Sequence, residues 1–300
     1  MSGASGLIGS ALQASLAAQI SQNKIEIVRL ARGAAKDAAQ VSWDFRTSLS
    51  PNAVSGFDAV IHLAGESVVG RWTAEKKKSI RDSRVLGTRN LASALAKASP
   101  KPKVFICASA IGYYGDRGDE TMREESSSGS GFLAEVCREW ETASRIAAEA
   151  GIRTINLRTG LVLSEKGGAL RSMLTPFKLG LGGRIGSGRQ WWSWIHIDDM
   201  VGGIHHAMNS ELTNSESLSG PVNMTAPKPL RNAEFTSILA GVLSRPAIVP
   251  VPPFALKLIF GRMAAEEMFL ASQRVAPEKL LQSNYKFRYS ELAPALESLL

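Results

Sequence analysis

Cysteine is scarce in this sequence of 300 residues, which contains only Cys107 and Cys137. Two cysteines exclude a disulfide-built scaffold and a cysteine-rich zinc module, and they suit a reducing compartment. Long hydrophobic runs are also lacking, because the apolar stretch at residues 253–260 is far shorter than the roughly 20 residues of a membrane span. Met1 is followed by neither a charged nor an apolar leader segment. The sequence therefore predicts a soluble protein without a membrane partner.

Basic residues are in modest excess, with 35 Lys and Arg against 27 Asp and Glu and a net charge of +8. They are scattered, and their densest run, at residues 76–78, is interleaved with Glu75 and Asp82 in a helical pattern. Such a run is typical of a solvated helix face. No zinc-finger, homeodomain or RNA-binding signature accompanies it. We predict no nucleic-acid partner, and the charge remains compatible with an anionic small molecule.

Short apolar runs alternate with helical patterns over the first 150 residues, a rhythm that predicts strand-helix-strand units around a parallel sheet. From Pro221 onward, prolines separate shorter segments, among which residues 232–243 form a helical pattern. We predict an α/β fold with a doubly wound parallel sheet: a larger domain at residues 1–220, with substrate-domain insertions near residues 160–195, and a small domain at residues 221–300. The predicted strands are residues 24–30, 59–63, 104–107 and 154–157, and the predicted helices are residues 7–18, 73–96 and 132–150.

Glycine recurs at every third position near the amino end, as Gly3, Gly6 and Gly9, directly before an apolar helical pattern. Such glycines let a backbone loop approach a pyrophosphate, and the start of the helix, at Leu7 and Ile8, adds amide donors and a positive dipole. Three spaced glycines are a weak signal alone, because a chain of this length with 27 glycines has about 0.2 such matches by chance. The β-like segment that follows one helix later supports a dinucleotide-binding loop.

The strand that should precede such a loop is absent from this sequence. A buried strand of about five or six residues is expected there, but only Met1 and Ser2 precede Gly3. In a doubly wound sheet that strand is central, and without it two neighbouring strands lose an edge partner. We expect that the recorded start is incomplete, so that a longer in-frame start lies upstream. A stop codon directly before Met1 would contradict this expectation.

The end of the second strand of such a fold distinguishes the two nicotinamide cofactors. An acidic residue there accepts hydrogen bonds from a ribose 2′-hydroxyl group, whereas arginine accommodates a 2′-phosphate. This sequence has no acid at that place but has Arg29 and Arg32, which favour NADP(H). The next predicted strand ends at Leu63 and runs into the small residues Ala64 and Gly65, and the three together suit a wall beside a nucleotide.

Four motifs occur in the order typical of an extended short-chain dehydrogenase/reductase, at residues 3–9, 59–65, 108–115 and 194–199. Residues 132–141, 176–183 and 186–194 more narrowly resemble the atypical epimerase-like branch, in which a C-terminal domain of unknown function corresponds to residues 246–300. The resemblance implies a Rossmann-type NADP(H)-binding domain, a small substrate domain and a homodimer. It allows the bacterial cytoplasm, the mitochondrion or the chloroplast, and it identifies no substrate.

The sequence departs from this family at the catalytic pair. Other members place a Tyr and a Lys four residues apart on a helix, so that both lie on one face near the nicotinamide. Here those positions are Phe132 and Val136, or residues 133 and 137 if the register shifts by one. Ser109 matches the serine or threonine that binds a substrate carbonyl in the family. Either Tyr113 or Tyr114 takes over proton transfer, or both only pack beside the nicotinamide.

A second departure concerns the substrate. Related nucleotide-sugar enzymes carry an arginine before an aromatic-Ile/Val-His run, where it binds the substrate diphosphate. This sequence has Gln190-Trp191-Trp192-Ser193-Trp194 there, which makes a sugar nucleotide a poorer candidate. The indoles either line an apolar pocket or close a hinge between domains.

The favoured hypothesis is an NADP(H)-binding oxidoreductase or epimerase-like enzyme with an unassigned small-molecule substrate. The alternative is a regulatory or scaffold protein that senses NADPH without catalysis. The missing Tyr-Lys pair favours the alternative. Ser109 and the aromatic residues near the predicted substrate cleft favour the enzyme. No metal site is predicted, because the adjacent His205 and His206 do not face one another on a helix.

Overall fold

The computed structural model describes residues 1–22, 24–209 and 218–300. Helices and strands alternate over most of this chain, as expected for an α/β protein. The helices are α1 (Leu7–Ser21), α2 (Ala74–Lys97), α3 (Phe132–Glu149), α4 (Gly168–Lys178), α5 (Ile197–Asn209), α6 (Asn232–Leu243), α7 (Pro253–Phe260), α8 (Arg262–Ala265), α9 (Glu278–Gln282) and α10 (Leu292–Glu297). The strands are β1 (Arg29–Ala31), β2 (Gln40–Ser42), β3 (Ala59–His62), β4 (Val104–Ala110), β5 (Thr121–Met122), β6 (Arg153–Thr159), β7 (Leu161–Leu163), β8 (Trp191–Trp192), β9 (Trp194–His196), β10 (Gly220–Met224), β11 (Leu230–Arg231) and β12 (Arg274–Val275).

The central sheet is parallel and has the order β10-β6-β4-β3. Its register places Cys107 of β4 opposite His62 of β3 and Asn156 of β6. β1 and β2 form a separate parallel pair. Ser2 joins the two groups, because it makes parallel bridges with Leu30 of β1 and with His62. Across Ser2 the strand order is β2-β1-β3-β4-β6-β10, which confirms the predicted Rossmann-type doubly wound sheet.

Helices cover both faces of this sheet. α1 and α5 pack on one face, and α2 and α3 pack on the other. A parallel sheet needs cover on both sides because its strands are apolar on both sides, and the first four side chains of β4 are all buried. The first layer includes Leu12, Leu16, Ile106, Ile155 and Ile204, and the second includes Leu91, Leu95, Phe105, Trp140 and Ala147.

Helical periodicity predicts the helices more closely than β-like composition predicts the strands. α1, α2 and α3 begin within one residue of the predicted starts, and α6 has the predicted bounds. The strand predicted at residues 24–30 is observed only as β1 (Arg29–Ala31), so the predicted length was wrong. The reason is that β2 pairs only with those three residues. On the opposite side of β1, the amino group of Met1 donates to the carbonyl oxygen of Val28.

The C-terminal residues return to the first part of the chain. β10 pairs with β6, so the main sheet continues across residue 220, where a domain boundary is predicted. Further on, β11 pairs with β8 and β12 pairs with β5. α6 and α10 pack together through Phe235, Leu239 and Leu296. The division into two domains stays a prediction. Within the described ranges, no helix combines the length and the apolar character that crossing a bilayer requires.

A buried histidine lies next to the bridge between the two groups of strands. The Oγ atom of Ser2 lies 2.5 Å from Nδ1 of His62, which is fully buried. Nε2 of this histidine has no hydrogen-bond partner among the residues that the structure describes. Burial, together with the nearby amino terminus, lowers the pKa of His62 from 6.5 to about 4. The native protein therefore holds a neutral imidazole at pH 7.

This pKa predicts a loss of stability in mild acid. The unfolded chain binds a proton near pH 6.5, whereas the native chain binds it only near pH 4, so the free energy of unfolding should fall by about 3 kcal/mol across that interval. His62→Asn keeps an acceptor for Ser2 but does not titrate, so it should remove most of this fall. Urea unfolding of both proteins at several pH values measures the difference, and equal losses in both would contradict the prediction.

Candidate functional site

The glycine loop lies where the end of β3, a turn and the start of α1 meet. Gly3 has a φ of +70°, and a methyl group on it would be 2.6 Å from the carbonyl carbon of Leu63. A methyl group on Gly9 would overlap the carbonyl oxygen of Gly3, so the first turn of α1 packs directly on the loop. Gly6 is the N-cap of α1. The shape of the loop therefore requires glycine at positions that the sequence motif predicts.

The start of α1 presents backbone amides that are free to bind an anion. The first amides of a helix have no partner within it, and here the first intrahelical bond runs from the N–H of Ser10 to the carbonyl of Gly6 at 2.8 Å. The preceding N–H groups belong to Leu7, Ile8 and Gly9. The first turn contains no acidic residue, so the positive end of the helix dipole is not neutralised there. Free amides and the positive end of a helix dipole beside this loop suit the binding of a pyrophosphate group.

Residues 63–65 continue from β3 along the glycine loop. Leu63 and Ala64 contact Gly3, and Gly65 is exposed. Nη1 of Arg84 donates to the carbonyl oxygen of Glu66 at 2.9 Å, which fixes the chain directly after Gly65. The structure therefore brings these three predicted wall residues to the same end of the sheet as the glycine loop.

The two arginines selected from the sequence have different surroundings. Nη2 of Arg29 donates to Oδ2 of Asp37 at 2.7 Å. Arg32 is exposed just after β1, and within the described part of the chain it has no ion-pair partner. The hydrogen bond from Lys76 lowers the pKa of the Glu66 carboxyl, and the charge of Arg32 lowers it further. Arg32 is therefore near the ends of both β1 and β3, and it is the less engaged of the two arginines.

Ser109 lies at the end of β4 in a buried polar network. Its Oγ donates to Oε1 of Glu141 at 2.8 Å, and the serine is 4% exposed. Arg158 binds the same carboxylate through Nε to Oε1 at 2.8 Å and Nη2 to Oε2 at 2.9 Å. The proton of Ser109 is thus held by Glu141. Sequence reasoning missed both charged residues, although an arginine directly after the predicted strand at residues 154–157 was an available signal.

The two neighbouring tyrosines differ in what their side chains contact. Tyr114 is fully buried; its hydroxyl accepts from Nη1 of Arg158 at 2.9 Å and is 2.7 Å from the acceptor Oδ1 of Asn223. Burial raises the pKa of Tyr114 to about 12. Tyr113 is only partly buried, and the guanidinium of Arg158 lies 3.5 Å from the centre of its ring. Tyr113 is therefore the tyrosine of the pair with surface left for a ligand.

The start of α3 is where the family's Tyr-Lys pair would stand, and it is closed by the C-terminal part. The carboxylate of Glu267 accepts the backbone N–H of Phe132 at 2.9 Å and that of Leu133 at 2.7 Å. Val136, one turn on, is buried. Cys137 is also buried, and burial raises the pKa of its thiol to about 12, which makes it unreactive. The carboxylate of Glu267 was not predicted, because it is more than a hundred residues away in sequence.

The indoles of residues 191–194 are engaged by protein groups. The guanidinium groups of Arg231 and Arg274 lie 4.4 and 4.6 Å from the ring of Trp191, whose Nε1 donates to Asp119 at 3.0 Å. Trp192 packs partly buried against the core cluster of α6, and Trp194 is completely buried. These contacts favour the hinge-like role over the apolar pocket, because they join β8 and β9 to the C-terminal residues.

Sequence profiles of two families match the chain. The NAD dependent epimerase/dehydratase family matches residues 1–218, and a domain of unknown function (DUF1731) matches residues 251–299. An epimerase family protein of Mycobacterium bovis is 40% identical over 298 residues, which cover 99% of this chain and 95% of that protein.

Solved structures with the same fold cover the entire chain, including its C-terminal part. The crystal structure of the human epimerase family protein SDR39U1 (isoform 2) with NADPH has a TM-score of 0.88 and 32% identity, covering 99% of this chain and 97% of that one. A nucleoside-diphosphate sugar epimerase from Corynebacterium glutamicum has a TM-score of 0.79 and 37% identity, covering 100% of this chain and 57% of that one.

Proposed function

The chain belongs to the NAD dependent epimerase/dehydratase family, and we propose that it is an NADPH-binding oxidoreductase that acts on a carbonyl group of a small molecule. The observation that carries this proposal is the glycine cradle at the start of α1, whose shape excludes side chains at Gly3 and Gly9. The human relative of known structure was solved with NADPH, which supports the same cofactor.

Three groups of residues would hold this cofactor. The loop of Gly3, Gly6 and Gly9, with the amides of Leu7 and Ile8, would bind the pyrophosphate. Leu63, Ala64 and Gly65 would lie beside the nucleotide. Arg32 would bind the 2′-phosphate, because it has no carboxylate partner in the described ranges. Arg29 would contribute less, since Asp37 already accepts a hydrogen bond from it.

A bound nicotinamide accepts or donates a hydride, and the protein must then orient the carbonyl and supply a proton. Tyr113 is the better proton donor of the two tyrosines, because Tyr114 is fully buried, already bound to protein groups and has a pKa of about 12. Ser109 would bind the carbonyl oxygen after exchanging its bond to Glu141. The Glu141 and Arg158 pair would position both groups, since it contacts Ser109 on one side and the ring of Tyr113 on the other.

A second candidate function is a regulatory or scaffold protein that binds NADPH without catalysis. The absence of the Tyr-Lys pair at Phe132 and Val136 favours it, and so does the engaged proton of Ser109. Both functions share the cofactor site and differ only in turnover. Cofactor binding therefore tests what they have in common, and the tyrosine variants separate them.

We predict that the chain binds NADPH at least about tenfold more tightly than NADH, as measured by energy transfer from its six tryptophans. Arg32→Ala should raise the Kd for NADPH about 10- to 100-fold and leave that for NADH unchanged, because it removes a charge-assisted hydrogen bond to the 2′-phosphate. Arg145→Ala is the matched control, since Arg145 is exposed on α3. Equal Kd values for both cofactors, or equal effects of the two variants, would contradict the assignment.

The tyrosines are tested in a screen of aldehydes and ketones that follows NADPH consumption. With a substrate in hand, Tyr113→Phe should lower kcat at least about tenfold without changing the Kd for NADPH, because it removes the proton donor. Tyr114→Phe should instead lower the free energy of unfolding by about 1–3 kcal/mol, since it leaves buried partners unpaired. Unchanged turnover in Tyr113→Phe would exclude it as the donor, and a folded, NADPH-binding chain without turnover would support the second function.

A further inference from the structure

The excess positive charge of the chain lies in two segments that contain no acidic residue. Residues 166–197 and 235–265 hold eight of the 35 Lys and Arg and none of the 27 Asp and Glu. The remainder of the chain is therefore neutral, with 27 residues of each sign. Because the basic residues themselves are scattered along the sequence, it is the absence of acids that localises the net charge.

Backbone hydrogen bonds join the two segments to one another. The N–H of Val249 donates to the carbonyl of Gly182 at 3.2 Å, and the N–H of Val251 donates to the carbonyl of Arg184 at 2.8 Å. In return, the N–H of Gly186 donates to the carbonyl of Val251 at 2.9 Å. The loop after α4 and the loop before α7 are therefore neighbours in the folded chain, and together they form one basic surface.

Large apolar side chains are exposed on this same surface. Five of them, which we call the apolar patch, are between 58% and 80% exposed: Leu179, Leu181, Ile248, Phe254 and Leu258. By contrast, α2 and α3 expose no large apolar side chain, although they are the two longest helices in the described part of the chain. Exposed apolar groups that occur together in this way mark an interaction site.

The helix α7 turns its apolar side away from the protein. Phe254 and Leu258 are four residues apart, so they lie on one stripe of the helix. Leu256, halfway between them, lies on the opposite side and is the only residue of α7 that is buried. Ile259, next to Leu258, is exposed as well. The helix therefore rests on the protein through one side chain and presents larger apolar groups to its surroundings.

Most basic side chains of the two segments have no acidic partner. The carboxylate of Glu266 binds Lys257 at 2.9 Å and Arg262 at 3.0 Å. The other six are exposed, and none of them makes an ion pair within the described ranges: Lys166, Arg171, Lys178, Arg184, Arg189 and Arg245. This surface therefore carries uncompensated positive charge beside exposed apolar groups.

The sign of this charge decides between the possible occupants of the patch. A second copy of the chain would bring the same positive charge to the contact, and like charges repel. An anionic partner would be attracted instead. Exposed apolar side chains on a helix, with Lys and Arg beside them, are typical of proteins that lie on a membrane surface. The sequence-based prediction of no membrane partner considered spanning segments, which surface binding does not require.

We propose that the apolar patch binds the surface of an anionic phospholipid bilayer. Phe254 and Leu258 enter the boundary between headgroups and acyl chains, where their exposed apolar area leaves water. Basic side chains of the two segments, such as Lys178 beside Leu179, contact the lipid phosphates. This inference goes beyond the proposed function, because the patch contains no residue of the candidate cofactor site.

The proposal is tested first with the full chain and vesicles of two compositions. Vesicles of phosphatidylcholine with about one third phosphatidylglycerol should bind the chain at least about tenfold more strongly than vesicles of phosphatidylcholine alone, since each cation near an anionic surface strengthens binding. Added salt should weaken binding to the anionic vesicles, because it screens these charges. Co-sedimentation with the vesicles measures both partition constants.

The apolar contribution is tested by the double variant Phe254→Glu with Leu258→Glu. It should lower the partition constant for anionic vesicles about tenfold or more, because it replaces apolar groups with charges that the lipid phosphates repel. Leu281→Glu is the matched control, since Leu281 is exposed on α9 outside the patch. The substituted side chains are exposed, so both proteins should keep the Tm of the parent chain.

The charge contribution is tested by the double variant Lys178→Glu with Arg245→Glu. It should lower the partition constant for anionic vesicles about tenfold or more and leave that for phosphatidylcholine unchanged. Arg89→Glu with Arg145→Glu is the matched control, because these arginines are exposed on α2 and α3 and the change in net charge is the same. The control should have a much smaller effect.

Three results would overturn the proposal. The first is no binding to anionic vesicles, or equal binding to both compositions. The second is an equal loss of binding in the patch variants and their matched controls. The third is a dimer in sedimentation equilibrium that the Phe254 and Leu258 substitutions dissociate, because the patch would then join two copies of the chain. None of these readouts involves NADPH, so their failure would leave the proposed function untouched.

Discussion

The pairing of Ser2 with the strands on both sides of it is the interaction on which the rest of the structure depends. Its backbone bonds to Ile61 and Leu63 attach the start of the chain to β3, and the bond from Leu30 to Met1 attaches it to β1. Gly3 follows immediately, so these bonds place the glycine loop at the end of β3. The loop in turn places α1, whose first turn packs on Gly3. The candidate cofactor site therefore depends on a bridge one residue long.

Much of the fold could be predicted from the sequence, because its determinants are local. Apolar residues at helical spacing predict the starts of α1, α2 and α3 to within one residue, and they predict both ends of α6. Strands need partners that are distant in sequence, so their lengths are less predictable. Residues 24–28 have the composition of a strand but line a cavity beside β3, and only Arg29–Ala31 are paired with β2. The return of β10 to the main sheet is likewise a long-range pairing without a local signal.

The candidate site likewise has one part that the sequence predicts and another that only the folded chain reveals. The glycine loop was predictable, since close backbone contact at Gly3 and Gly9 requires particular residues at fixed spacing. The carboxylates of Glu141 and Glu267 were not, because each acts on a partner that only the folded chain brings close. Tyr113 and Tyr114 are equivalent in sequence, and only burial distinguishes them.

The central claim is that the end of the sheet around the glycine loop, Leu63 and Arg32 binds NADPH. Hydrogen exchange measured by mass spectrometry, with and without saturating NADPH, tests it most directly, since ligand contact lowers exchange where it occurs. The account predicts slower exchange in peptides that cover residues 3–12, 29–33 and 63–67, and little change in peptides from α9 and α10. Protection confined to other parts of the chain, or none at saturation, would contradict it.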